Sequence, residues 1–235
     1  MIKPRLAWIT SNRSCNFRCL WCYGRSERFD SGQTLSWDLA VKLLDIIRQL
    51  EINSLIIIGG EPTIWRYLLK FNRLCREKKI LSTLVTNGFR FSNDQFWNNY
   101  LKDPNDKVSP SIKAFDGKSL LKLAKVRGIE AVKKGIGRLV KMYDCNISFV
   151  ISSYIIDDLT SMVQFAKVCG ASKVSLSPCT PSFSDDGIST DGMVPLEDLV
   201  KAVVAQYPQL HKLMSGNLTL SIKRNVSIPL QHLIS

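Results

Sequence analysis

Ser54-Leu-Ile-Ile-Ile58, followed at once by Gly59-Gly60-Glu61-Pro62, is the stretch on which the fold turns. The run is apolar without alternation, as expected of a parallel strand covered on both faces. Two glycines then interrupt it, and Pro62 suits the first turn of a helix. A buried strand, an abrupt turn and a helix make one βα unit, and similar units lie on either side. Strands are expected at Arg5–Thr10, Leu81–Thr86, Lys107–Ala114, Asn146–Ser152 and Lys173–Ser177. Between them fall helices. Ser36 caps one that carries Leu39, Leu43, Ile46, Ile47 and Leu50 at helical spacing, and others cover Trp65–Lys78, Ser92–Leu101 and Asp157–Val168. Ile129, Val132, Ile136, Leu139 and Val140 mark another, in which Gly135 and Gly137 each cost about 1 kcal/mol relative to Ala. Pro195 opens a last helix to about Tyr207, and Asn217–Lys223 reads as a final strand that need not belong to the repeat.

Six strand–helix units with short connections imply an α/β fold of parallel strands, either an open doubly wound sheet or a barrel. Six are too few for a standard eightfold barrel. In either case the chemistry belongs where strands end and helices begin. The loop from Cys179 to Met193 has the polar, Gly- and Pro-containing composition of a lid.

Composition narrows the class. The 235 residues carry 32 Lys+Arg against 20 Asp+Glu, a formal net charge of +12, and 45% are hydrophobic, enough for a sizeable core. No stretch approaches the roughly 18 uninterrupted apolar residues of a membrane span, and the first twelve residues are too interrupted by charge for a secretory signal. The seven cysteines are odd in number and mostly scattered. A secreted disulfide framework would be denser and even, so a reducing, cytoplasmic setting without a membrane is expected. The basic excess permits nucleic acid or an acidic partner. However, the densest run, Arg73–Lys79, reads as a solvated helix face, and no aromatic-and-basic RNA-binding module is appended.

Cys15, Cys19 and Cys22 crowd into one loop after the first strand. A structural zinc site wants four ligands in closed coordination, and no fourth lies nearby; neither His211 nor His232 stands in a ligand pair. An iron–sulfur cluster held by three cysteines would instead leave one iron open to a small molecule. Cys15-Asn-Phe-Arg-Cys19-Leu-Trp-Cys22 resembles the cluster motif of the radical S-adenosylmethionine (SAM) superfamily. The resemblance implies a partial (β/α)6 barrel of the TIM type and one 4Fe-4S cluster whose open iron is chelated by the methionine moiety of SAM. It implies reductive cleavage of SAM to a 5′-deoxyadenosyl radical that abstracts hydrogen from a substrate.

Within that resemblance, Gly59-Gly60-Glu61-Pro62, about forty residues after the cysteine loop, is similar to the family's GGE segment, which contacts the SAM amino group. Physically, glycines there allow close backbone approach to a ligand, and Glu61 offers a carboxylate. Thr86-Asn87-Gly88 resembles the family's TNG turn, and Trp21 fills the aromatic position before the last cysteine, implying a place near adenine. Lys113, ending the fourth strand, suits the SAM carboxylate. Ser152 or Ser153, ending the fifth, suits the ribose or the carboxylate, while Ser175 and Ser177 of the sixth flank the adenine segment. Cys179, on the same side, is a candidate reactive thiol or hydrogen-atom donor. Cys75, Cys145 and Cys169 read as small buried hydrophobes.

The resemblance also shapes expectations for the whole chain. Residues 1–210 are expected to form the barrel and 211–235 a short C-terminal extension. Asn217–Ser235, with Ile228-Pro-Leu-Gln-His-Leu, has the shape of the first hairpin of a SPASM or Twitch extension, but no cysteine follows Cys179, so a single cluster is expected. The expected substrate is a ribosomally made peptide or a protein, with an electron from a flavodoxin- or ferredoxin-type reductant. The alternatives are activation of a glycyl-radical enzyme, RNA modification, or a cluster-binding regulatory protein without turnover.

Overall fold

A computed structural model describes residues 4–22, 32–184, 187–214, 218–224 and 226–229. The expected alternation is there. In chain order run β1 (Leu6–Thr10), α1 (Trp37–Gln49), β2 (Ser54–Ile58), α2 (Leu68–Glu77), β3 (Leu81–Thr86), α3 (Asp94–Tyr100) and β4 (Lys107–Ile112). They are followed by α4 (Gly117–Ala124), α5 (Ile129–Met142), β5 (Asn146–Ile151), α6 (Leu159–Val168) and β6 (Lys173–Pro178). A small hairpin, β7 (Ser182–Ser184) and β8 (Gly187–Ser189), precedes α7 (Leu196–Met214), β9 (Thr219–Arg224) and β10 (Val226–Pro229). Strands β1 to β6 lie side by side in chain order, all parallel, and β9 adds to β6 as a seventh parallel strand with Leu220 opposite Val174. This is the open sheet of a partial TIM-type barrel, and β10 folds back antiparallel on β9.

Helix caps follow the local sequence. The Ser36 side chain accepts from the Leu39 N–H, and Asn93 does the same for Phe96 at the start of α3. Asp116 and Ser119 form a reciprocal capping box that starts α4. The core divides in two. Leu44, Leu55, Phe71, Leu84 and Phe91 pack beneath β1–β3, whereas Ile112, Ile136, Phe149, Met162 and Leu176 pack beneath β4–β6. Each such side chain contributes about 1.5–3 kcal/mol by leaving water.

The covering of β2 on both faces is corrected. Leu55 and Ile57 are fully buried against helices, but Ile56 and Ile58 are only half-buried, and Trp8, on the same inner face, is 60% exposed. The inner faces of neighbouring strands carry Thr83, Ser109, Ser111, Ser148 and Ser177, too small and polar to fill the interior, so the sheet encloses a trough rather than a packed core.

Other differences have local causes. Helix α4 was not expected: its cap pairs Asp116 with Ser119 rather than with Glu or Gln, and its apolar stretch is short. Helix α7 does not stop at Tyr207 but continues through Pro208 to Met214, burying Leu210. A proline removes one N–H, and here burial of the next turn outweighs that loss. Consequently the helix runs through the expected boundary at 210/211, and the final strand joins the sheet. The Cys179–Met193 loop holds the β7–β8 hairpin. Residues 230–235, including His232, lie outside the described residues, while His211 sits on α7, its ring tilted at 46° to that of Tyr207 with centroids 5.6 Å apart. Among the described residues no helix is long and apolar enough to cross a membrane.

Candidate active site

The site begins where β1 and β2 end. The Ser11 N–H donates to the Ile58 carbonyl (2.8 Å), the Gly60 N–H to Asn12 (2.7 Å) and the Glu61 N–H to Ser14 (2.8 Å). The segment before the cysteines is thus laid directly on the glycine turn. A Cβ added at Gly60 would stand 2.2 Å from the Ser14 carbonyl oxygen, and one at Gly59 would stand 2.6 Å from that of Asn12. Both glycines are therefore demanded by backbone packed on backbone, a nearer cause than the ligand approach expected from sequence.

Glu61 is 1% exposed. Its Oε1 accepts from the Thr63 N–H (3.1 Å), Thr63 Oγ1 (2.8 Å) and Thr86 Oγ1 (2.7 Å), while Oε2 accepts from the Asn87 N–H (2.8 Å). Burial pushes this carboxyl above its ordinary value, and the donors of Asn87, Thr86 and Thr63 pull it back. The Asn87 side chain donates in turn to Asn16 Oδ1 (2.8 Å). Glycine turn, β3 end and cysteine loop are thereby tied into one closed ring of hydrogen bonds. Behind it Gly88 is left-handed (φ 78°), and α5 crosses so closely that a Cβ at Gly135 would lie 2.0 Å from the Gly88 oxygen. The glycine that weakens α5 is what lets it pack there.

The cysteine loop has a second anchor. The N–H groups of Arg18 and Leu20 donate to the carbonyls of Ala124 (2.8 Å) and Leu123 (3.0 Å), so the unforeseen helix α4 spends its terminal carbonyls on this loop. Phe17 stands edge-on to Phe89 at 5.9 Å, and the Arg18 guanidinium folds back onto the carbonyls of Cys15 and Phe17. Burial pushes the Cys15 thiol up to about 12 and the Cys19 thiol up to about 11, the latter eased by the Lys113 charge.

All three cysteines line a cavity of about 460 Å³, with Gly59, Gly60 and Glu61 on one side and Thr86 and Asn87 beside them. Among the described residues no group of three or more His, Cys, Asp or Glu is placed to hold a metal ion; three thiols on one cavity are the donor type that an iron–sulfur cluster takes. Trp21, Lys113, Ser177 and Cys179 line the same cavity. Lys113 Nζ donates to Ser111 Oγ (2.6 Å). Cys179, 5% exposed, continues the sheet through its N–H on the Ile151 carbonyl (2.7 Å), and burial pushes its thiol up.

Ser152 is placed differently. It is fully buried but does not line the cavity, and its Oγ has no hydrogen-bond partner. Over it lies Gly192, whose carbonyl accepts from the Ser153 N–H (3.0 Å) and whose α-carbon also faces Trp21. Ser175 lies buried in β6 and accepts from the Asn146 side chain. Trp8 lines the cavity unforeseen. The alternation of β1 would have found it, since Trp8 shares a face with Leu6 and Thr10, opposite buried Ile9.

Comparison with known proteins follows the same lines. The family model "Radical SAM superfamily" matches residues 9–166. A protein of Thermococcus kodakarensis named "Probable GTP 3′,8-cyclase" is 26% identical over 164 residues, 69% of this chain and 53% of that one. Among solved structures, SuiB of Streptococcus suis bound to precursor peptide SuiA superposes with a TM-score of 0.71 at 20% identity, covering 94% of this chain and 49% of that one. Native anSMEcpe with bound AdoMet gives 0.69 at 17%, covering 92% and 63%. The chain spans about half the length of the curated relatives it matches. With two thirds of its length under one family model, three cysteines on one cavity and the glycine turn beside them, this chain belongs to the radical SAM superfamily, whose members use a 4Fe-4S cluster and S-adenosylmethionine.

Proposed function

We propose that this chain is the catalytic barrel of an enzyme that cleaves SAM reductively and takes a hydrogen atom from a bound peptide. The observation that carries the reading is the shared cavity: Cys15, Cys19 and Cys22, none in a disulfide, face the Gly59–Glu61 turn across one space. Their thiolates would hold the cluster, which when bound supplies the electron that breaks the sulfonium into methionine and a 5′-deoxyadenosyl radical. Because burial keeps Cys15 and Cys19 protonated in the free protein, loading releases protons.

The chain's own groups position the rest. Oε2 of Glu61, which accepts one bond, keeps capacity for the methionine ammonium, and Lys113 is the cation for its carboxylate. Trp21 would flank the adenine. Trp8, Phe17, Val85 and Val150 give the cavity apolar walls that keep water from a carbon radical. Cys179, which lines the same cavity, would return a hydrogen atom to the substrate radical, leaving a thiyl radical that an electron from the external reductant and a proton would restore to the thiol.

A peptide is favoured because the trough is open along its inner face and Lys113 is the one cation among the described cavity-lining residues. The name of the curated relatives supports a second reading, a purine nucleotide substrate. The test is anaerobic reconstitution with iron and sulfide, then dithionite and SAM, with candidate peptides or GTP. Formation of 5′-deoxyadenosine, raised by a peptide, supports the first reading. Turnover raised only by GTP supports the second. A preparation holding about four irons per chain that forms no 5′-deoxyadenosine overturns both.

A further inference from the structure

A second cleft, of about 590 Å³, opens between α2 and α3 on the outer wall. Its polar lining is unusual in kind: Arg66, Arg90, Asn93, Gln95 and Asn99, with Phe96 as an apolar face and no carboxylate. Neither arginine forms a salt bridge among the described residues, although eight other Lys and Arg side chains do; Arg90 feels the buried Glu61 carboxyl only through space. Both guanidiniums are held in place. Arg90 lies over the Phe96 ring at 4.5 Å and donates to the Thr63 carbonyl, while Arg66 lies over Tyr67 at 4.6 Å and donates to its hydroxyl (2.5 Å). A guanidinium stacked on an aromatic ring presents its edge as a fixed donor fork suited to a carboxylate. The amides of Asn93, Gln95 and Asn99 offer donors and acceptors together, which suits a peptide backbone; a phosphate accepts only, and the cleft contains no lysine and no glycine-rich loop to cradle one.

The position is also informative. The cleft is walled by the short turns after β2 (Pro62–Ile64) and β3 (Phe89–Ser92), so it opens at the same end of the sheet as the cysteine cavity. Thr63 is common to both: its carbonyl takes Arg90, and its N–H and hydroxyl hold Glu61.

We propose that the Arg66–Arg90 cleft docks an acidic peptide segment, one carboxylate on the two guanidiniums and a neighbouring apolar side chain on Phe96. The net charge of +12 favours such a partner. Docking there is independent of what the cysteine cavity does, because it is measured without SAM or turnover.

The test uses the full chain with its cluster loaded and a fluorescein-labelled hexapeptide of alternating Glu and Phe, followed by anisotropy at fixed ionic strength. Binding is expected to weaken at least tenfold in Arg90→Gln, in Arg66→Gln and with the Gln-for-Glu peptide. It should stay unchanged in Lys122→Gln, which removes the same charge from exposed α4. Circular dichroism melts of each variant exclude misfolding, and the peptide substitution needs no variant at all. No binding by the parent chain, equal weakening in Lys122→Gln, or displacement of the peptide by inorganic phosphate at the same ionic strength overturns the proposal.

Discussion

The two ends of the sheet each bury a polar network, and the networks are built on opposite principles. At the start of β3 and β4, Asn105 bonds to Asn72 (2.9 Å), Ser82 (3.1 Å) and the Tyr100 hydroxyl (3.2 Å), while Tyr143 closes on its carbonyl (3.0 Å). These groups are neutral and mutually satisfied, and the two acids beside them are both held: Asp106 accepts from the Ser82 N–H (2.7 Å) and Oγ (3.1 Å), and Asp103 is gripped by Arg73 and Arg76 at 2.6 Å each. At the other end Glu61 is buried with neutral hydrogen-bond donors on its oxygens and Arg90 acting only through space, three thiols line a cavity, and Ser152 Oγ is unsatisfied. Asn146 Oδ1, on the inner face, is also unpartnered, and nothing in the structure explains it. One end is finished as protein. The other awaits groups the chain does not contain, as expected of a barrel that does its chemistry at the C-terminal ends of its strands.

That contrast can be broken by experiment. The largest effect is expected for Cys19→Ala: iron per chain and 5′-deoxyadenosine should fall to background while the melting temperature stays within a few degrees. Retention of a full cluster would remove Cys19 from the ligand set. Glu61→Ala should damage both fold and chemistry, since it strands four buried donors. A loss of about 3 kcal/mol or more in urea unfolding is expected, and a loss below about 1 kcal/mol would show that the ring of loops does not depend on the carboxylate. Asn105→Ala, at the finished end, should cost about 2 kcal/mol yet leave SAM cleavage at low temperature near the parent rate. A matching fall in activity would mean the two ends are coupled.

A smaller effect depends on pH. Hydrogen bonding to Arg73 first, and then the charges of Arg73 and Arg76, hold the Asp103 carboxyl below the ordinary carboxylate range. Its contribution is therefore complete above the unfolded value near pH 4 and is lost as the pH falls through the lower folded value. Asp103→Asn should lower stability at neutral pH by the contribution of the pair and flatten the acid limb of a stability–pH profile, so that variant and parent converge at low pH. Smallest is Ser152→Ala, expected within about 0.5 kcal/mol of the parent because the hydroxyl makes no bond. A large loss would mean that Ser152 is already satisfied.

The same contrast explains what could be read from sequence. The limits of β2 and β3 were legible because apolar runs end at Gly59 and Asn87, where the backbone must turn. The cysteines were legible from their spacing, whereas the glycine turn and Lys113 were legible only through the family resemblance; all of them line one cavity. Helix α4 was not, since only the fold brings its last carbonyls to Arg18 and Leu20. Nor was the real duty of Gly60: its constraint comes from Ser14, forty-six positions earlier. Trp8 was hidden by the assumption that apolar strands are covered on both sides. The seventh strand was expected at Asn217–Lys223, but its place in the sheet was hidden because pairing with β6 leaves no mark in Thr219–Arg224 itself.

The anchoring of the cysteine loop on α4 separates two events that small metal domains merge. Where the metal alone shapes its binding loop, losing the ion unfolds the chain. Here the N–H groups of Arg18 and Leu20 are held by a helix more than a hundred positions away, so the chain itself sets part of the loop's form. Removing a bound group from this loop is then expected to injure the cargo and not the vessel, leaving a folded acceptor to be charged again.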